Sequence, residues 1–505
     1  MTSESLSPSF HTFNSLKSLA LLISLTALLT LAACGGVSTI NTVHEPPPIN
    51  TDNVCNTTPF TSSPANVPQP NTFFGMHIHS LAPGTPWPNT VVPSVQFGGL
   101  RLWDSGTGWA DTNTSVGVCN FSHMDSWLNE AQANNVDILY NLGRTPNWAS
   151  SSPSDDSCAY AGVDGGGGQC DPPYDLNSDG TGTDDIWIGW VTSVVSRYKG
   201  KIKYYEIWNE WNIQHFWVGT VPQLVRMTQD AYCIVEGPPA AGCNANSKFP
   251  NGTGLDPSAQ IITPSTVGSG TSQSQLDAAA KNMDMFLNQT QAGGMGPGSF
   301  IDIIGFHCYV STQTVGDYPI PENVTIVNNA VAAVAGVQGK PLFCTEGGSG
   351  NVTEEGFTDP NLQAAFLARY YLLQNSTSVS RVYWYAWDTT STDVALWSPT
   401  DTTLAAIAYG EVYKWLNGVT QSSPCSLEGT VYTCAYTRPG GYAALAVWDS
   451  NTDASCYTAG TPTCSTFTIP SQYKLYRDLA GTETVPGSTI PLTAEPILLE
   501  TAALP

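Results

Sequence analysis

Two glutamates, Glu210 and Glu346, each close an apolar run: KIKYYEIWNE over 201–210 and PLFCTE over 341–346. A single acid at a strand end is most often a surface group. Two of them, delivered by separate strands into one cleft, are what cleavage of a glycosidic bond requires: one to protonate the leaving oxygen, one to attack carbon or activate water. The acid must rest protonated and its partner ionised, so their surroundings must differ. Arg101 supplies that difference if it lies beside Glu346, because a nearby cation lowers a carboxylate pKa. His77, His79, Trp148, Trp211 and Trp217 are candidate lining residues, since sugar rings present apolar faces that stack on indole. For each of these five, core packing or rim exposure is the competing reading.

Such residues converge only if strands deliver them to one face. Eight apolar runs follow in order, at roughly 72–79, 99–104, 136–142, 202–209, 260–264, 301–309, 341–346 and 381–387. They are nearly unbroken by polar residues, as parallel strands covered on both faces must be. Between them, Met124, Trp127, Leu128 and Ala131 recur at helical spacing, as do Trp187, Trp190, Val191, Val194, Val195 and Tyr198. Strand and helix repeated eight times predict a (β/α)8 barrel over 71–417, closed by a helix near Leu404–Leu416. In that architecture the carboxyl ends of the strands form the active face, where Glu210 (strand four) and Glu346 (strand seven) both fall. Beyond Asn417 helical periodicity stops, and short runs such as VYTCAYT and YAALAVW alternate with turn residues. Residues 418–505 therefore read as a small antiparallel β-sandwich, either sugar-binding or, in the absence of a clear aromatic stripe, structural.

The chain has 505 residues, 17 Lys and Arg against 41 Asp and Glu, and a formal charge of -24. That surface repels nucleic acid and anionic lipid, which excludes them as partners, and suits a neutral polymer such as a carbohydrate. Near the amino terminus, Lys17 precedes an apolar run from Leu19 to Leu31 that is too short to span a membrane and closes in Leu31-Ala32-Ala33-Cys34. This resembles the bacterial lipoprotein signal. The resemblance implies removal of residues 1–33, lipidation at Cys34, and an exported protein whose only membrane contact is the anchor. The other reading is a plain secretory signal. Residues 34–70, rich in Ser, Thr and Pro, read as a flexible tether. Of 13 cysteines, those other than Cys34 make an even set. Spacing suggests Cys158 with Cys170, Cys233 with Cys243, Cys425 with Cys434 and Cys456 with Cys464, which leaves Cys55 for Cys119. Cys308 and Cys344, on neighbouring strands, are either a bridge or buried thiols.

The long loop after strand three contains Asp175-x-Asn177-x-Asp179-Gly180, the opening of an EF-hand-like calcium loop, with Ile186 where the twelfth-position acid belongs and Asp184 and Asp185 beside it. It is either a structural calcium site or a solvated turn; no other cofactor is expected.

Over residues 70 to 417 the chain resembles the retaining glycoside hydrolases of clan A, most of all family 39, on RYKGKIKYYEIWNE (197–210), FCTEGG (343–348) and the strand order. The resemblance implies that Glu210 is the acid/base and Glu346 the nucleophile. Asn209 would hold the sugar 2-hydroxyl, Arg101 would orient Glu346, His307 and Tyr309 would touch the acid/base and nucleophile, and Trp387, ending strand eight, would floor the sugar subsite. One departure concerns Trp211, which stands where the family carries Pro, so leaving-group subsites differ here. The family's β-xylosides, iduronides, arabinosides and exopolysaccharides are all open as substrates. A transglycosylase using the same acids and a non-catalytic carbohydrate-binding protein are the alternatives.

Overall fold

The computed structural model describes residues 53–504 except 63–65, 81–86, 160–165, 238–242, 244–253, 269–272, 291–294, 311–318, 350–358, 389–393, 399–400 and 451–464. Cys34 and the Cys456–Cys464 pair lie outside the described residues. Eight parallel strands form the centre: β1 (Phe74–His77), β2 (Gly99–Leu102), β3 (Asp137–Leu142), β4 (Tyr204–Ile207), β5 (Gln260–Ile262), β6 (Ile304–His307), β7 (Leu342–Gly347) and β8 (Val379–Trp384). Each pairs with its neighbour in chain order except β5 with β6, and β8 returns to β1. The seam between β5 and β6 closes through an Ile262–Ile303 bridge and through Thr266–Val267, which pairs with Phe306 and His307.

The strands read as unbroken apolar runs because both faces are buried. Leu139, Tyr204, Ile262, Ile303, Phe343 and Tyr383 fill the lower barrel. Their chain neighbours, such as Ile138, Tyr205 and Val382, pack outward on helices. Gly75 makes this possible: a Cβ there would stand 2.4 Å from the Tyr383 ring. The outer layer is α1 (Ser122–Ala133), α2 (Asp185–Tyr198), α3 (Val221–Val235), α4 (Gln273–Leu287), α5 (Pro319–Ala332), α6 (Pro360–Asn375) and α7 (Leu404–Leu416). The predicted stripe on α2 is wholly buried, with Trp190 stacked on Trp109 at 5.1 Å. Among the described residues, no helix is long and apolar enough to cross a membrane.

The tether reading fails over its second half. Cys55 is bridged to Cys119, Phe60 donates its N–H to Arg197 O at 2.8 Å, and its ring meets Tyr198, so this segment is fastened along α2. A disulfide and a buried aromatic outweigh local polar composition. The bridges 158–170, 233–243 and 425–434 form as spacing suggested, and Cys308 is joined to Cys344.

After α7 the chain builds a six-stranded antiparallel sheet whose centre is Val431–Arg438, Tyr442–Asp449 and Ile497–Glu500. A two-stranded sheet, Ser465–Thr468 with Thr489–Leu492, covers one face over Val447, Ile490, Leu492 and Leu499. The other face joins the barrel core through Tyr436, Trp448 and Leu498. Arg438 caps the end of α7 by donating to the carbonyls of Lys414, Trp415 and Asn417.

Candidate active site

Above the apolar layer the barrel interior turns polar. Arg101, from β2, has no exposed surface and donates to three groups: Glu206 at 2.6 Å, Glu346 at 2.7 Å and the side-chain oxygen of Asn209 at 2.7 Å. Its charge is held in place by the two carboxylates despite burial. Glu206 also accepts from Asn141 of β3 at 2.8 Å. A buried ion pair of this kind is stable only when its remaining lone pairs are met, and Asn141 meets one.

Beyond β4 the backbone enters the left-handed region twice, at Trp208 (φ 61°) and Glu210 (φ 41°). Such conformations in bulky residues are unfavourable and persist where packing enforces them. Here the indole N–H of Trp208 donates to Phe216 O at 2.6 Å, and Trp217 packs on its ring at 4.7 Å. The turn aims Asn209 at Arg101 and Glu210 at His307, whose Nδ1 lies 2.7 Å from Glu210 Oε1 and 3.8 Å from Glu346 Oε1. Tyr309 donates its hydroxyl to Glu346 Oε1 at 2.7 Å.

Electrostatics separate the two acids. Burial, reinforced by Asp104 and Glu206 against the pull of Arg101, lifts Glu210 to about 8. Burial also raises Glu346, but His307, Arg101 and the Tyr309 hydroxyl oppose it. Glu346 thus carries the Arg101 and Tyr309 donors on its two oxygens, whereas His307 is the donor facing Glu210. Burial drops His307 to about 4, so its ring is neutral. Its Nε2 faces the Arg101 guanidinium at 3.5 Å, a group that only donates, so the hydrogen belongs on Nδ1 and points at Glu210 Oε1. A proton on Glu210 then sits on Oε2.

His77 is buried and neutral, its Nε2 3.1 Å from Thr345 O; desolvation and Arg101 both disfavour its charge. His79 follows β1, and its backbone N–H donates to Asp388 at 2.8 Å. Of the two readings open for the tryptophan candidates, the structure shows core packing. β8 ends at Trp384, not at 387; Trp387 is fully buried and stacks on Trp397 at 6.2 Å, so it is not an open floor. Trp148 spends its indole N–H on Asn113 O at 2.8 Å and packs on the core. Trp211 and Trp217 are buried and back the Glu210 turn. The aromatic ring that meets the site is Tyr385, 5.1 Å from His77, 4.9 Å from His79 and 6.4 Å from Tyr309. Its hydroxyl donates to Asp104 at 2.9 Å.

The calcium candidates are engaged with their own turn. Asp175 accepts from the Thr183 hydroxyl at 2.9 Å and from the Ile186 N–H, and Asp179 accepts from Thr181. Asn177 donates to the Thr181 hydroxyl at 3.1 Å. Asp184 turns into the core beside Asp230 and Arg226.

Glu206, Asn141, Asp104 and Tyr385 were missed in the sequence. Glu206 had a signal: it is the lone acid inside an otherwise apolar strand, and a buried acid needs a cation.

The chain is a closed (β/α)8 barrel with a polar upper layer and acids at the carboxyl ends of β4 and β7, and its fold is that of solved glycoside hydrolases. In particular, the chain is similar to a family 39 glycoside hydrolase from the gut symbiont Bacteroides cellulosilyticus WH2, at 16% identity and a TM-score of 0.57 over 85% of this chain and 81% of that one. It is also similar to the family 39 enzyme from Xanthomonas axonopodis pv. citri, at 16% identity and a TM-score of 0.50 over 85% and 94%. Likeness at this identity establishes the fold. No protein-family model and no curated protein matches the chain.

Proposed function

We propose that the protein is a secreted retaining glycoside hydrolase that cleaves a polysaccharide or its oligosaccharides by double displacement. One observation carries this reading: Glu210 and Glu346 each place an oxygen within 4.8 Å of the other and of a His307 ring nitrogen. Retaining enzymes hold their carboxyls about 5 to 5.5 Å apart, whereas inverting enzymes leave about 6.5 to 9.5 Å for a water between them. In the first step a Glu346 oxygen bonds to the anomeric carbon, the bond to the leaving oxygen breaks, and the Glu210 proton passes to that oxygen. In the second, Glu210 takes a proton from water, the water oxygen bonds to the same carbon, and Glu346 is released.

Turnover of a panel of aryl glycosides and polysaccharides between pH 4 and 7, lost in Glu346→Gln, tests the reading. Activity that survives Glu346→Gln removes it. The pH profile follows from the same groups. With Glu210 near 8, kcat/KM falls about tenfold per unit above pH 8 as the acid loses its proton. On the acid side it falls as Glu346 gains one. Glu210→Gln should abolish the alkaline limb, and an unchanged limb assigns it to another group. Export through a lipid anchor is part of the proposal: Cys34→Ser should move the protein from the membrane fraction to the soluble one, and a variant still bound to membranes refutes the anchor.

A further inference from the structure

The left-handed turn that aims Glu210 is braced by the segment that follows it. Beyond the acid the chain folds back as a short strap, with the Ile213 N–H donating to Glu210 O at 2.8 Å and the Phe216 N–H to Ile213 O at 2.9 Å. Phe216 O then accepts the indole N–H of Trp208, two residues before the acid, at 2.6 Å. The turn is held only as firmly as the strap that reaches it.

The start of the strap is fastened by Asn212, which exchanges hydrogen bonds with the backbone of Val267 at 2.9 and 3.0 Å. Its far end is fastened to the loop between β3 and α2. The Ala159 N–H donates to His215 O at 2.9 Å, and the Val218 N–H donates to Cys170 O at 3.0 Å. His215 Nδ1 also lies 2.8 Å from Ser157 O. These contacts fall on the two ends of one disulfide: Ala159 follows Cys158, and Cys170 is its partner. Cys170 is the firm end, because the residues beside it are tied to Thr145, just beyond β3. The Thr145 N–H donates to Gln169 O at 3.1 Å and its hydroxyl to Asp171 O at 2.6 Å. Ala159 is exposed, so the bridge is what carries that fixed point across to His215. The donors on Glu346, by contrast, come from β2 and from Tyr309 after β6.

We propose that the Cys158–Cys170 bridge is a positioning device for general acid catalysis: it grips the strap at His215 and Val218, and through Phe216 and Trp208 holds Glu210 in line with the leaving oxygen. This rests on the glycoside hydrolase reading and adds that the acid/base, rather than the nucleophile, depends on this bridge.

The test is kcat/KM of full-length Cys158→Ser/Cys170→Ser on two aryl glycosides of the sugar that the wild-type protein hydrolyses, one releasing dinitrophenolate and one releasing phenolate. Dinitrophenolate departs without a proton, so only the phenyl glycoside calls on Glu210 as an acid. On the phenyl glycoside kcat/KM should fall roughly tenfold or more, as expected of a displaced catalytic group, and on the dinitrophenyl glycoside it should stay within about twofold. A general loosening of the fold would lower both alike. Should the double variant not fold, Ala159→Pro reads the same ratio: it keeps the bridge and, at an exposed loop position, deletes the N–H donated to His215. Equal losses on the two substrates, or no loss on either, overturn the proposal and leave the hydrolase reading standing. A wild-type protein that hydrolyses no aryl glycoside and no polysaccharide removes that reading and the proposal together.

Discussion

Glu346→Ala lowers kcat by roughly 10⁴-fold or more, and added azide restores turnover by yielding a glycosyl azide of inverted configuration. Removing the side chain opens a space on the face of the sugar from which Glu346 attacks. A small anion there can form the bond to carbon while the leaving group departs on the other side. Because no covalent enzyme intermediate precedes it, the single displacement inverts the centre. The donors that held the carboxylate, Arg101 at 2.7 Å and Tyr309 at 2.7 Å, remain to hold the azide. Product stereochemistry by proton NMR is the measurement. Rescue confined to Glu210→Ala, with an inverted product, would exchange the two roles.

The second large effect comes from Arg101→Met, which should destabilise the fold by about 3 to 5 kcal/mol and abolish turnover. Methionine fills much of the space but leaves Glu206 and Glu346 as buried acids without their cation. The double variant Arg101→Met/Glu206→Gln separates the two consequences. The amide that replaces the Glu206 carboxylate keeps a hydrogen-bonding partner in Asn141 and carries no charge, so stability should return in part. Activity should not, because Asn209 and Glu346 have still lost the group that orients them. Urea unfolding midpoints and kcat on one substrate decide the matter. A double variant no more stable than the single would show that the charge of Glu206 is not what Arg101 compensates.

The barrel is legible in the sequence because strands buried on both faces must be apolar almost throughout. The acids are legible because Glu210 and Glu346 interrupt that rule where a barrel places chemistry. The tryptophans were left open between ligand and core for a related reason. Hydrophobicity says that an indole avoids water, but not whether its shelter is a ligand or the core. Trp387, Trp211 and Trp217 chose the core. Tyr385 and Asp104 were hidden because their meeting depends on how the backbone leaves β8 and β2, which no periodicity reports. Glu206 stood out as the lone acid in its apolar strand, but its partner did not. Its role depends on a partner 105 positions away.

The bridge between Cys308 and Cys344 joins the residue after His307 to the strand that carries Glu346. The two sides of the mouth that carry His307, Tyr309 and the nucleophile are therefore one covalent body rather than two packed strands. Catalytic geometry is sensitive to displacements on the order of an ångström. With this bond formed, thermal breathing of the barrel cannot slide β6 along β7, so the alignment of the tyrosine on Glu346 is settled at oxidation and not sought afresh in each catalytic cycle.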